Sequence, residues 1–238
     1  MVIKKHPQKG EQLTDGLAGG FYTVVEAARL LGLESTQRVT RWLSGPEPVI
    51  LRQYEKNGTL HEVGFLDLLE IRFIEHFRRC GISLQALRRC AQNARAALGM
   101  DHPFATSNVK FQTDRRRIFM ETAQEIGDPK LLDLVRNQFA IYSVIEAVLA
   151  RDLTFDASGL ASEWRPDTTH YPSVTINPLH AFGRPTVAES RVTTAAIFNL
   201  FRAEQGDPAE VTAAVARWFN ITEDETTQAV TFESELAA

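Results

Sequence analysis

Between Phe21 and Ser44 the chain reads FYTVVEAARLLGLESTQRVTRWLS, which leaves the backbone few choices. It resolves into two short helices joined by a tight turn. Thr23 and Glu26 have capping-box spacing, the hydroxyl onto an orphan backbone N–H and the carboxylate reaching back. Ala27, Ala28, Leu30 and Leu31 give the first helix a small apolar surface. Gly32 ends it, as a residue free to take positive φ does. Ser35 is placed to cap a second helix from Thr36 to Leu43. There Val39, Trp42 and Leu43 share one side, while Thr36, Gln37, Arg38, Thr40 and Arg41 point elsewhere. An apolar inner side with a Gln/Arg/Thr/Arg outer side suits a helix that reads a DNA major groove. An ordinary helical hairpin with a solvated face has the same pattern, and this stretch alone does not separate the two.

The net charge of −4 over 238 residues argues against nucleic acid, but its distribution argues for it. Residues 1–120 hold eighteen Lys/Arg against twelve Asp/Glu, and residues 121–238 hold eight against eighteen. A basic half joined to an acidic half suits phosphates at one end and a basic partner at the other; solvated helix faces give the same numbers. No apolar run approaches the roughly 20 residues of a membrane span. The N-terminus lacks the apolar core of a signal peptide. Cys80 and Cys90 form no CxxC pair, which suits a reducing cytoplasm and apolar packing. Nothing among His6, His61, His76, His102, His170 and His180 has metal-ligand spacing. There is no nucleophile–His–acid signature and no phosphate loop, so neither an enzyme nor a cofactor is expected.

The fold expected is mainly α with short β-hairpins. Residues 1–20 are a polar tail. After the helix pair, Gly45 to Pro48 breaks the helix. Val49 to Glu55 and Thr59 to Phe65 then read as strands around Lys56-Asn57-Gly58, a hairpin signal. A hairpin in that place is a wing, with Arg52 and Lys56 able to reach phosphates. Two amphipathic helices follow, Leu66 to Cys80 and Ser83 to Leu98, each stopped by glycine and flanked by Arg78, Arg79, Arg88, Arg89 and Arg95. Asn108–Phe111 and Arg117–Met120 suggest a second hairpin around Thr113-Asp114, with Arg115, Arg116 and Arg117 at its edge. Asp128-Pro129 opens a helix that is apolar nearly all round as far as Leu149, a buried core element or a dimer contact. A third hairpin spans Leu153 to Arg165. Beyond Pro172, a strand at Ser173–Asn177 and a tight strand–turn–strand at Gly183–Thr193 precede three helices: Thr194–Ala203, Pro208–Phe219 and Glu223–Phe232. Asp207 with Glu210 and Thr222 with Glu225 have capping spacing.

Helix, turn, helix, wing and two longer helices resemble the winged helix-turn-helix head of MerR-type regulators, here over residues 21–125. The dimerisation coiled coil and metal-sensing cysteines of some members are missing. Residues 126–165 connect. Residues 166–238 resemble the small trihelical family known as domain of unknown function 433. The matching landmarks are Gly183-Arg184-Pro185, Arg191-Val192, Gly206-Asp207-Pro208-Ala209-Glu210-Val211 and Ile221-Thr222. The hairpin tip departs from the family pattern, with Glu189-Ser190 in place of Gly-Thr. The combination is similar to one class of VapB-type antitoxin.

That resemblance implies an antitoxin which neutralises a PIN-like ribonuclease toxin and, as a homodimer, binds double-stranded operator DNA to repress its own operon. Operator contacts would come from Thr36, Gln37, Arg38, Thr40, Arg41, Arg52 and Lys56. A PIN site is a carboxylate cluster with basic surroundings. Arg184 and Arg191 would enter the first, and Glu223, Asp224, Glu225, Glu233 and Glu235 would cover the second. Those residues also read as a clamp onto the domain's own carbonyls and a solvated helix end. The alternative function is a free-standing MerR-like regulator whose C-terminal half dimerises or senses a ligand.

Overall fold

The capping box forms as its spacing predicts. Glu26 N–H donates to Thr23 Oγ1 at 3.1 Å and Thr23 N–H to Glu26 Oε2 at 2.8 Å, so helix α1 begins at Val24 and runs over Val24–Leu30. The structure, a computed structural model, describes residues 19–54, 62–106, 109–137 and 152–237, with the backbone alone for 109–116. Gly32 closes α1 at φ +58°, in the left-handed region that favours glycine. Helix α2 follows over Thr36–Trp42. Ser35 is its N-cap by backbone shape, but the hydroxyl makes no capping bond; its carbonyl takes the Arg38 N–H at 3.2 Å instead.

The hairpin expected after α2 departs from expectation. Residues 49–54 carry no strand, and the return strand β2, Glu62–Val63, pairs antiparallel with β1, Tyr22–Thr23. The reason lies in backbone hydrogen bonding. Val49 and Ile50 are buried beneath α2 and both donate their N–H groups to the Trp42 carbonyl, at 3.1 and 3.2 Å. The Val49 carbonyl is taken by Arg95, and the Gln53 N–H by the buried carboxylate of Asp67. Little of that backbone is left for a ladder. The tip, with Lys56, lies outside the described residues.

Helices α3, Phe65–Arg79, and α4, Leu84–Leu98, form as expected. Phe73, Phe77, Phe104 and Phe119 make an aromatic stack at their centre, with ring centroids 4.2 Å apart for Phe73–Phe104 and 5.4 Å for Phe77–Phe119. The second expected hairpin is absent: α5 runs unbroken over Val109–Ile126, straight through Thr113-Asp114. Ile118, Phe119, Thr122 and Ala123 are all buried, which the i, i+4 geometry of a helix achieves; a strand would turn Ile118 and Phe119 to opposite faces. Helix α6, Pro129–Arg136, starts where Asp128 accepts the Leu131 N–H at 2.9 Å. The rest of the apolar helix expected up to Leu149 falls outside the described residues.

Strands β3, Leu153–Phe155, and β4, Ala161–Trp164, form the hairpin anticipated there. A short pair, β5 (Val174–Thr175) with β6 (Thr186–Val187), leads into α7 (Thr194–Ala203), α8 (Pro208–Phe219) and α9 (Glu223–Ala237). Thr222 and Glu225 complete their capping box, with N–H to oxygen distances of 2.7 and 3.1 Å. Asp207 accepts the Ala209 N–H at 2.9 Å, and α9 extends five residues beyond the expected Phe232. Val187, Ile197, Val211, Val215 and Ala229 make the core of this part. The chain is thus mainly helical with short antiparallel strand pairs.

Candidate functional site

Helix α2 presents the outer side that its sequence predicts. Val39 and Trp42 are buried; Thr36, Gln37, Arg38 and Arg41 are exposed, and Thr40 is half-buried with its hydroxyl donating to the Thr36 carbonyl at 3.2 Å. Arg38 is not free. Its Nη1 meets Glu75 Oε2 at 3.2 Å, and Arg79 Nε reaches the other oxygen of the same carboxylate at 3.0 Å. Glu75 is itself buried at the base of a cleft of about 320 Å³ whose lining includes Arg38, Arg41, Trp42, Arg78 and Arg79. Four arginines therefore line a cleft with one carboxylate, and two of them pair with it. The excess positive charge faces water, and a phosphate fits that chemistry. Arg78 also donates to the Ile82 carbonyl, closing the α3 C-terminus. The helical pattern puts Glu75 on the wet side of α3 beside Arg79, whereas the structure buries Glu75 and pairs it with Arg38 and Arg79; the spacing of four from Arg79 was the available signal of that pair.

The remaining head residues fare differently. Arg52 is half-buried, with Nη2 at 3.4 Å from the Glu62 carbonyl, so it braces β2 rather than standing free on a wing. Of the arginines around α4, Arg88 binds the Glu47 carbonyl at 2.8 Å and Arg89 pairs with Glu125. Behind them lies a buried acidic pocket. Asp67 accepts the Gly64 N–H at 2.9 Å, and His102 Nδ1 stands 3.6 Å from Glu70 and 3.8 Å from Asp67, contacts that act through charge more than as hydrogen bonds. Burial pushes the Asp67 carboxyl up to about 6, against the pull of His102 and of the backbone N–H groups of Gly64 and Gln53. Burial alone would depress His102, but Glu70 and Asp67 outweigh it and hold the imidazole above its usual value. Among the described residues no group of His, Cys, Asp and Glu has the arrangement of a metal site.

The second expected surface, in the C-terminal part, is rearranged by a seam with α1. The Tyr22 hydroxyl donates to the Gly183 carbonyl at 2.6 Å and Phe21 N–H to the Phe182 carbonyl at 2.9 Å. Burial, then the nearby Tyr54 and Glu26, push the Tyr22 phenol far up, so it remains a donor throughout the physiological range. Arg29 Nε donates to the Leu236 carbonyl at 2.7 Å and its Nη2 lies 3.4 Å from Glu233. Glu233 is therefore turned inward: it is buried and accepts the Thr194 hydroxyl at 2.6 Å. Leu30 packs against Tyr171, Val174 and Phe232 in the same seam.

The other acidic residues of α9 stand at its surface. Glu223 and Asp224 are exposed, and Gln228 donates to Asp224 at 2.7 Å. Glu225 is engaged in the capping box. Glu235 bonds Tyr171, whose phenol is pushed up to about 12 by burial and then by that carboxylate. Arg184 and Arg191 are both exposed, Arg191 with φ +57°, and no clamp of either guanidinium onto a carbonyl is seen among the described residues. No helix among the described residues is long and apolar enough to cross a membrane.

No family model matches the chain, so the likenesses to a MerR-type head and to the trihelical family rest on their own landmarks. Among solved structures, the crystal structure of Rv2018 from Mycobacterium tuberculosis superposes with a TM-score of 0.68 at 23% identity, covering 88% of this chain and 96% of that one. That likeness shows a shared fold. In sequence, the chain is 24% identical over 203 residues, 77% of its length and 83% of the relative's, to a protein of Mycobacterium tuberculosis (strain ATCC 25618 / H37Rv) named "Putative antitoxin VapB45".

Proposed function

We propose that this chain is the antitoxin of a toxin–antitoxin pair, that it neutralises a PIN-like ribonuclease, and that it binds operator DNA to repress its own operon. The observation that carries the reading is the similarity to the protein named as an antitoxin, which extends over 77% of this chain. The arginine-rich cleft beside α2 supports the DNA half. Its charge excess suits a phosphate backbone, and Thr36, Gln37, Arg38, Thr40 and Arg41 are the residues that would meet base edges or phosphates. Arg52 and Lys56 remain proposed phosphate contacts, Arg52 from the segment after α2 where it braces β2. The acidic half supports a basic partner. Arg184, Arg191, Glu223, Asp224, Glu225 and Glu235 are the proposed toxin contacts, while Glu233, facing inward, contributes through the fold.

The test is a pull-down of the native protein from its own cells, read by mass, together with titration of the DNA upstream of its gene. A small co-purifying nuclease and salt-dependent DNA binding are expected. A chain that captures no nuclease but binds DNA would instead be a free-standing MerR-like regulator. The observation favouring that second reading is the cleft of about 210 Å³ between α1 and the C-terminal part, lined by Leu30, Pro185, Ala195 and Leu236 among others, where a small ligand would sit.

A further inference from the structure

Glu75 and Arg79 belong to two clefts at once. They line the α2 cleft described above, and they also line a second cleft of about 270 Å³. The walls of this second cleft come from three separate stretches of chain. Leu30 and Leu31 at the end of α1, and Pro166 just after β4, are apolar and half-buried. Arg72, Glu75, His76 and Arg79 share one face of α3, at the spacing of three, four and seven residues that a helix brings together. Trp164, the last residue of β4, completes the lining, with the Arg72 Cζ 5.1 Å from the centroid of its ring.

Two polar groups of this lining are left unsatisfied by the protein. The His76 imidazole is half-buried and makes no hydrogen bond or ion pair among the described residues. Burial, then Arg72 and Arg79, hold it below the usual imidazole value. The Trp164 indole N–H is buried and meets no acceptor among the described residues, and such a donor costs stability until something accepts from it. The charges leave a surplus as well. Arg72 is matched by Asp152, whereas Arg38 and Arg79 share the single carboxylate of Glu75, so one positive charge stays uncompensated. One surplus cation, a free imidazole and an unused indole donor beside leucine and proline walls suit a singly charged acid with an apolar body. A phosphate dianion would overshoot that charge and leave the apolar walls in water.

We infer that this second cleft binds a small monocarboxylic acid with an apolar body, whose carboxylate competes with Glu75 for Arg79. The site holds for either reading of the C-terminal part. Its consequence for DNA rests on the reading of the α2 cleft given above. An acid that draws Arg79 takes a cation from that cleft and sets a negative charge beside it, so acid and DNA oppose each other.

The full-length chain is titrated with benzoate, with acetate and with inorganic phosphate at equal ionic strength. Its imidazole signals are followed by nuclear magnetic resonance, with His76→Gln to assign the one that matters. Benzoate should move the His76 signal saturably and raise the proton affinity of that imidazole about tenfold, because a bound carboxylate offsets the two arginines. It should bind about tenfold more tightly than acetate, which lacks the apolar body. Arg79→Gln should weaken benzoate about tenfold. Arg89→Gln, which removes the same charge outside the cleft, should leave it within about twofold. A His76 signal that stays still, acetate or phosphate binding as tightly as benzoate, or an Arg79→Gln chain that binds like the parent would each overturn the site. Saturating benzoate should also weaken binding to upstream DNA about fivefold, and DNA should weaken benzoate by the same factor. Benzoate that binds with DNA affinity unchanged would overturn the competition for Arg79 and leave the site standing. A chain that binds no upstream DNA would overturn the DNA reading, while the titration still decides the site.

Discussion

Two buried carboxylates, Glu75 and Glu233, sit at 8% and 6% exposure, and each is held by an arginine of the helix pair. Their surroundings differ in charge. Glu75 is shared by Arg38 and Arg79 in a cleft that also holds Arg41 and Arg78, so cationic charge remains after every pairing. Glu233 meets Arg29 and the Thr194 hydroxyl, and the cleft beside them adds only Glu26 and Arg184, so the charges there balance and no cationic excess remains. The same kind of ion pair thus organises a surface suited to phosphates in one region and a protein-like interface in the other. The lesson is that surplus charge, rather than the presence of a salt bridge, tells the two apart.

The largest effect should come from breaking the seam core. Phe232 packs edge-on against Tyr171, with centroids 5.6 Å apart, and meets Leu30 of α1. Phe232→Ala is expected to destabilise the protein by about 3–5 kcal/mol, measured by denaturant unfolding. A loss under about 1 kcal/mol would mean that the seam is loose. For the same reason, deleting residues 222–238 removes Thr226, Ala229 and Phe232 from the core. Such a truncation would disrupt the fold rather than trim an acidic tail.

A carboxylate without an arginine sharpens the comparison. Asp67 is raised from 3.8 to about 6 by burial, so the folded state holds its proton more tightly than the unfolded chain does. The sign follows: its contribution is most favourable below about pH 4 and is lost as pH rises towards 6, by up to about 3 kcal/mol. Relative to the parent, Asp67→Asn should gain stability over that interval, as read from paired unfolding curves at several pH values. A constant difference would exclude the shift.

Smaller effects separate the two regions. Glu233→Ala removes the nearer, charged acceptor of the Thr194 hydroxyl at 2.6 Å, leaving only the Pro185 carbonyl at 3.4 Å, and should cost about 1–3 kcal/mol of stability. DNA binding should then be reduced only to the extent that folding is. Arg41→Ala should leave unfolding unchanged and weaken binding to upstream DNA by about 1–3 kcal/mol; normal affinity would remove α2 from the interface. Glu75→Gln should do the reverse, steepening the salt dependence of non-specific DNA binding by about one unit as Arg38 and Arg79 are released. An unchanged slope would show that the cleft does not meet phosphates.

Local signals in the chain were readable without the structure. The Thr23–Glu26 box, the glycine stops, the hairpin at 153–164 and the three last helices depend on neighbours a few residues away, and they form as read. What was misread depends on distant partners. Val49 and Ile50 have the composition of a strand, but their hydrogen bonds go to Trp42. The segment at 109–120 reads as a hairpin until Phe119 finds its stack with Phe77. Glu233 was assigned to the surface from its charge, although its spacing of four from Ala229 and seven from Thr226 places it on the buried side of α9. The cleft was legible as an arginine-rich helix face; the carboxylate beneath it lies on another helix. The seam was not legible, because it joins residues from opposite ends of the chain.

That joining sets a schedule for the protein's making. Arg29 and the Leu236 carbonyl it holds are 207 residues apart, and at roughly 5–20 residues per second a ribosome takes about 10–40 s to travel between them. Throughout that interval the helix pair exists without its clamp. The seam therefore forms only once Leu236 has been made: a nascent chain, or one cut short before α9, carries α1 and α2 but lacks the Arg29 clamp. Whatever depends on the seam would pass over chains that stop before α9.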